Sequence, residues 1–361
     1  MWRFYLLMQL VQEVPKSKTM RHKWLIRLRL FFAHRLLERF KLMDIIATLR
    51  RKIDQAGAGD HTLGLMAMLA HVEVAYKHLK RGQKYADDSA FTDAVYRTNQ
   101  AFEGGLKEAY GVLAKKSLDK ARIFDIEQFF SKSNVFRKRV LDQFTNYRQE
   151  WRNPSTHDHK LDFSESEAFL AIVSVTAFSC LLVDEMALQL ARDREEETTK
   201  LLVRKIESKF NFAEGDFLGR VSEALKSYFV LRSAEEFESN SHPQWLGSVA
   251  GFLSAIFPDA EVLSEAQIGG EKRKLVAGVL VKSSGQSVVV EIKNTVNIHT
   301  YESMLIQLES MIATSGHRDG IVFFLPTMVT SGHVFEQDRL FNGGKGRLKL
   351  LSAVPLKTRF E

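Results

Sequence analysis

The sequence predicts a multidomain chain: an all-α helical bundle followed by an α/β domain with the element order α-β-β-β-α-β. Three observations carry that expectation. In the first two thirds, apolar residues recur at threes, fours and their sums, as in Phe91, Val95, Phe102, Leu106, Tyr110 and Leu113, which draws one stripe along a helix. No strand-like alternation of any length occurs before about residue 258. Beyond it, short valine-rich runs stand between turn residues, and the period shortens to that of a strand.

Residues 1–52 alternate basic with large apolar side chains, as in Trp24, Leu25, Ile26, Arg27, Leu28 and Arg29, and form a basic amphipathic segment. Packing onto the next domain is the expected role, with contact to a membrane surface or nucleic acid as the alternative and a natural start at Met43 as a third reading. Residues 55–60, with Gly57 and Gly59, form a flexible joint. Helical patterns then cover 62–83, 89–116 and 123–152, the last interrupted near 131–134. Pro154 cannot continue a helix and restricts the residue before it, so Asn153 is the expected break, with the following residues on a short loop. Ser164 with Glu167 three residues on reads as a capping box opening a helix over 164–197. That helix is apolar on every side at 169–173 and belongs at the centre of the bundle. The charge run 192–200 reads as a solvated face or linker, which bounds the bundle at 60–195 and leaves 196–240 as a helical linker.

The α/β domain, 244–361, opens with a helix stopped by Pro258, followed by strands over 261–268, 274–282 and 287–293. A helix over 300–314, a strand over 320–325 and a last strand near 348–353 complete it. Gly343, Gly344, Lys345 and Gly346 lack the hydroxyl residue and the helix of a phosphate-binding loop, so they read as a hairpin turn.

At 361 residues, 45% hydrophobic and 26% charged, the chain has the composition of a soluble globular protein. Its formal charge of +7 is uneven: residues 1–52 hold thirteen Lys/Arg against three Asp/Glu, leaving 38 against 41 elsewhere. Basicity is thus an N-terminal property and does not by itself imply nucleic acid. The single Cys180 excludes a disulfide framework and points to a buried thiol in a reducing, cytoplasmic setting. The apolar opening of the chain lacks a small-residue cleavage site, so no signal peptide is expected. The apolar run 169–183, fifteen residues followed by Asp184 and Glu185, falls short of the roughly 20 that span a bilayer, so a buried helix is expected and a membrane is not.

Two constellations carry chemistry. In the first, Arg152 has the bidentate geometry for a phosphate, His157 the titration range for proton transfer, and Asn153 an amide to hold either. Metal-free RNA cleavage needs a base for the 2′-hydroxyl, an acid for the leaving oxygen and positive charge on the phosphorane. One histidine does not readily fill both proton roles, so a site of this kind gains from a second copy across a dimer axis. The run Tyr147, Arg148, Gln149, Glu150, Trp151, Arg152, Asn153, Pro154, Ser155, Thr156, His157, with the upstream segment from Tyr96 through Asn99 to Glu103, resembles the HEPN superfamily of helical-bundle ribonucleases. The resemblance covers roughly residues 62–195. It implies a bundle of four or five helices, a homodimer, RNA as substrate, no cofactor, and Arg152, Asn153 and His157 as the catalytic residues. Glu103 is expected to orient Arg152 by helix adjacency, and Asp158 and His159 have no assigned role.

In the second, Glu291 and Lys293 lie two apart on one strand and so on one face, a metal-binding carboxylate beside an ammonium that would polarise water or steady a phosphate. The element order around them, over about 244–327, resembles the PD-(D/E)xK restriction-endonuclease-like fold. That resemblance implies Mg2+, DNA as a further partner, an aspartate on the preceding strand and a glutamine on the following helix, which Gln307 matches. Ala277 stands where the aspartate is expected. A domain that binds without cutting, an inactivating substitution and a ligand supplied from elsewhere are the three accounts, with Asp259 and Glu265 as substitutes. The fusion implies an endoribonuclease with a second nucleic-acid-directed domain, in defence against phage or mobile elements. The alternatives are a dimeric nucleic-acid-binding or regulatory protein and a Mg2+-dependent DNA nuclease acting through the C-terminal domain. Ala277→Asp is expected to create or restore magnesium-dependent cleavage, assayed on duplex DNA and on RNA with and without EDTA; no gain on either rejects the assignment of position 277.

Overall fold

The computed structural model describes residues 44–352, apart from 118–120, 134, 158–161, 213, 232–239, 270–274, 294–300 and 326–333. The chain divides into two units, Met1–Thr48 and Leu49–Glu361. Residues 1–43 of the basic segment lie outside the described residues. In the first unit, the Asp44 carboxylate accepts the backbone N–H groups of Ile46 and Ala47, both at 3.0 Å, and so caps helix α1 (Ile45–Gln55).

The second unit begins within α1, at Leu49, and continues with the helices the apolar periods require: α2 (Thr62–Tyr85), α3 (Ser89–Ala114), α4 (Ile123–Lys132) and α5 (Lys138–Tyr147). A π-helical turn (Arg148–Arg152), α6 (Asn153–His157) and α7 (Glu165–Glu207) follow. Their shared core is aromatic. Phe102 of α3 stacks on Tyr147 with ring centroids 4.7 Å apart, and Phe130 of α4 stacks on Phe136 at 4.2 Å.

Helix α7 opens on the Ser164–Glu167 capping box and runs for 43 residues, about 65 Å at the α-helical rise. It is long and apolar enough by length and composition to cross a membrane, but 56% of its most apolar window is buried inside the fold. Cys180 lies within it, and burial pushes its thiol up to about 11.

The helix does not end at the charge run, which corrects both the linker expected over 196–240 and the boundary at 195. Nothing between Glu165 and Glu207 breaks a helix: there is no glycine or proline, and Glu, Lys, Arg and Leu all favour it. Several of the charged side chains are docked rather than solvated. Arg192 donates to the Val262 carbonyl at 3.0 Å and the Ser254 hydroxyl at 3.3 Å, and Glu195 accepts from the Ser248 hydroxyl at 2.9 Å.

These contacts attach the second half of the unit, where α8 (Phe217–Val230) and α9 (His242–Ile256) precede a mixed six-stranded sheet. Helix α9 crosses α7 at close range through Gly247 and Gly251. A Cβ at either would collide with α7 backbone, with the Leu188 carbonyl in one case and the Arg192 carbonyl in the other.

The sheet order is β1-β2-β3-β4-β6-β5, from β1 (Glu261–Ile268), β2 (Leu275–Ser283), β3 (Gln286–Lys293), β4 (Asp319–Phe324), β5 (Phe335–Phe341) and β6 (Gly346–Ser352). β1, β2 and β3 form an antiparallel meander, β4 joins β3 in parallel, β6 joins β4 in parallel, and β5 closes the edge as an antiparallel hairpin with β6. Helices α8 and α9 cover one face over Val279, Val281, Val288 and Val290, and α10 (Tyr301–Thr314) covers the other over Leu280, Val289 and Val322. Strand β5 is absent from the sequence-derived order. As an edge strand it is polar at alternate positions, where Glu336 and Asp338 pair with Lys349, and it carries no apolar run to betray it.

Gly247→Ala and Gly251→Ala are each expected to lower stability by about 3 kcal/mol or more, because the clash is with backbone that cannot repack. Gly104→Ala, where an added Cβ meets nothing, is expected to raise stability by about 0.5–1 kcal/mol. Chemical denaturation of the three variants beside the wild type measures both signs.

Candidate functional site

The 147–155 segment is fastened to α3 by buried polar groups. The Tyr147 hydroxyl lies 2.7 Å from Thr98 Oγ1 and 3.1 Å from Asn99 Oδ1. The Asn99 amide nitrogen donates to Ser155 Oγ at 2.5 Å, and Ser155 in turn donates to the Trp151 carbonyl at 2.7 Å. All four of these polar residues are buried. Burial drives the Tyr147 hydroxyl far above the usual tyrosine range, so it stays protonated and able to donate. Such a network is costly if half-made and rigid when complete, and its register fixes where the next side chains point.

Pro154 lies inside this segment, and the backbone does not break at Asn153. Asn153 is helical (φ −66°, ψ −49°) and its N–H bonds to the Arg148 carbonyl five residues back. Proline lacks the N–H that would close an α-turn onto Glu150 and its ring crowds that carbonyl. Widening the preceding turn to a π-turn lets the helical path continue, so the expected loop is corrected to the helical turn α6.

This turn delivers Arg152. Its Nε is 3.4 Å from Glu103 Oε1 on α3 and 3.5 Å from Glu127 Oε1 on α4, and an Nη donates to Asn153 Oδ1 at 3.2 Å. The Arg152 side chain is 15% exposed, Glu127 6% and Glu103 35%, so the guanidinium sits at the edge of the core with one carboxylate beneath and one beside it. Burial raises the Glu127 pKa; Arg152 and then Arg148 pull it down, and Glu103 adds a small upward push. Arg148 also reaches the Ser131 hydroxyl on α4, at 3.4 Å. Glu127 belongs to no motif in the sequence. Its one signal is a lone acid between Ile126 and Phe130 on the buried side of α4. The α6 backbone puts position 157 one turn beyond Asn153; the His157 side chain, with Asp158 and His159, lies outside the described residues.

The second constellation sits at the other end of the unit. Glu291 Oε1 accepts the Gly278 backbone N–H at 2.9 Å, and Lys293 Nζ donates to its Oε2 at 3.2 Å. β2 is irregular at Gly278, where a Cβ would face Leu246 of α9. Ala277 is therefore fully buried on the α10 face, the face to which alternation from Val289 assigns Glu291.

The two substitute acids are not brought to Glu291. Asp259 precedes β1, whose first residue Glu261 registers with Lys282 and through it Ser287, four residues or about 13 Å along β3 from Glu291. Glu265, in left-handed backbone at φ 47°, is ion-paired with Arg137 and with Arg139. Gln307 is exposed on α10. Glu291 is thus a single carboxylate with both oxygens engaged, and no group of three or more His, Cys, Asp or Glu side chains able to hold a metal occurs among the described residues. That donor set does not fit a dedicated Mg2+ site.

No protein-family model, no curated protein and no solved structure matches the chain.

Because the folded pKa of Glu127 lies above the ordinary carboxylate value, the native state holds its proton where the unfolded chain has lost it, and stability falls as pH rises through that window. Glu127→Gln removes the titration. Relative to wild type, the variant is expected to gain stability as pH rises from the acid side of the carboxylate range toward neutrality, read from denaturation midpoints at each pH; a difference independent of pH rejects the burial of this charge.

Proposed function

We propose that the chain is a metal-independent endoribonuclease of the HEPN type, cytoplasmic and active as a homodimer, whose sheet half binds nucleic acid without cutting it. The observation that supports the first part is the setting of Arg152. Glu103 and Glu127 from two different helices hold its guanidinium, on a backbone turn pinned by the Tyr147, Asn99 and Ser155 network. An arginine ordered before substrate arrives loses little side-chain entropy on meeting a phosphate, which is the condition for stabilising charge as it develops on a phosphorane.

In this reading Arg152 holds the scissile phosphate and Asn153 Oδ1 keeps the guanidinium in plane. His157, one turn on, moves the proton between the 2′-hydroxyl and the leaving 5′-oxygen. The second copy in the dimer supplies the complementary acid or base. Binding without cutting is the reading for the sheet half, because Glu291 is spent on Gly278 and Lys293 and the aspartate position is Ala277. A part in defence against phage or mobile elements follows from the pairing of two such domains.

Arg152→Ala and His157→Ala are each expected to reduce RNA cleavage in EDTA by about 10²-fold or more, with circular dichroism of each variant separating loss of chemistry from loss of fold. Gel assays with RNA and duplex DNA, in EDTA and in magnesium, test this directly. Cleavage unchanged in both variants removes the site. Salt-dependent binding that survives His157→Ala with no product under any metal condition establishes the non-catalytic, dimeric binding protein in its place.

A further inference from the structure

One end of the sheet carries a cleft that the reading above leaves unused. It opens where the α10–β4 turn meets the β5–β6 hairpin, at the opposite end of the strands from Glu291. Its volume is about 450 Å³, and His317, Arg318, Asn342 and Lys345 supply its polar lining, with Phe341 and Ala313 as an apolar wall. No acidic side chain among the described residues lines it.

Neighbouring basic groups make the point by contrast. Lys282 pairs with Glu261, Arg347 with Asp319 and Asp216, and Lys349 with Glu336 and Asp338. Around the cleft the fold neutralises its cations one by one, yet Arg318 and Lys345 have no carboxylate partner among the described residues. Arg318 Nε donates to the Lys345 carbonyl at 3.2 Å, which ties the two cationic segments together and leaves the terminal guanidinium nitrogens to the cleft.

His317 adds a third polar group. Its Nδ1 lies 2.6 Å from Ser287 Oγ, and burial, assisted by Lys282, favours the neutral ring. A neutral imidazole offers one donor and one acceptor on its two ring nitrogens, so it lines the cleft without adding charge. Two cations, a neutral imidazole, an apolar wall and no acid among the described residues describe a site for an anion attached to something flat or apolar, and the volume exceeds what a bare phosphate fills.

We propose that this cleft binds a phosphate monoester carried on a nucleoside, whether a free nucleotide or the terminal nucleotide of a nucleic-acid strand. The proposal stands apart from RNA cleavage at Arg152, and its test does not use that activity. The His317 ring resonances of the full chain are followed by NMR during titration with AMP, with adenosine, and with one DNA oligonucleotide in 5′-phosphorylated and unphosphorylated forms. AMP or the phosphorylated strand is expected to shift His317, and adenosine and the unphosphorylated strand to leave it unmoved; a response to AMP identifies the free nucleotide as a ligand, and a response to the phosphorylated strand alone identifies the strand end. The double variant Arg318→Ala, Lys345→Ala is expected to weaken that binding at least about tenfold with an unchanged melting temperature. A silent His317 with every phosphate-bearing probe, an equal response to the unphosphorylated probes, or wild-type affinity in the double variant overturns it.

Discussion

The crossing of α9 over α7 at Gly247 and Gly251 is the contact on which the rest of the unit depends. Two helices meet with backbone against backbone, which only glycine permits, and α7 is long enough that its first half fills the bundle while its second half seats the sheet layer. Polar groups then lock the register: Arg192 on Val262, Glu195 on Ser248, and the Tyr228 hydroxyl on Ser248 at 2.9 Å. A second link runs through Arg137, which pairs with Glu185 of α7 and with Glu265 of β1 at the start of the segment that leads to Arg152. The two chemical constellations are therefore carried by one compact unit rather than by two bodies on a linker.

At Arg152 the fold uses buried polar groups where apolar ones would be cheaper. A buried ion pair seldom adds net stability, since desolvation offsets most of the attraction. The Glu103, Glu127 and Arg152 arrangement is better understood as positioning: two carboxylates from separate helices leave the guanidinium little freedom, and the Tyr147 and Asn99 bonds leave its backbone less. The π-turn belongs to the same design. It takes up the misfit of Pro154 and directs Arg152 inward, between α3 and α4.

The cleft at His317 and the Glu291 strand end show how differently the two ends of the sheet are finished. At Glu291 the charges satisfy one another and the neighbouring backbone. At His317 the cations are left facing an open volume. Glu291 and Lys293, a candidate pair in the sequence, are closed on each other by the fold, and the glycine-rich hairpin that reads as a turn carries Lys345, which has no carboxylate partner among the described residues.

Much was legible in the residues alone, because it depends on local periodicity and on local capping: the helices of the first two thirds, the Ser164–Glu167 cap, strands β1 to β3 and the helix before β4. The placing of Glu103 beside Arg152 could be read from helix adjacency, and Glu103 lies 3.4 Å from Arg152 Nε. What the sequence could not decide were outcomes of packing between distant segments. Proline's local rule called for a break at Asn153, but a π-turn held by Asn99 and Tyr147 kept the helix going. The charge run 192–200 lacked a breaker, and only the arrival of α9 and β1 made part of it a docking surface. Strand β5 owes its place to β6, Glu127 its role to α6, and Ala277 its face to an irregularity at Gly278. Periodicity records what each segment buries, and tertiary contact decides what it is buried against.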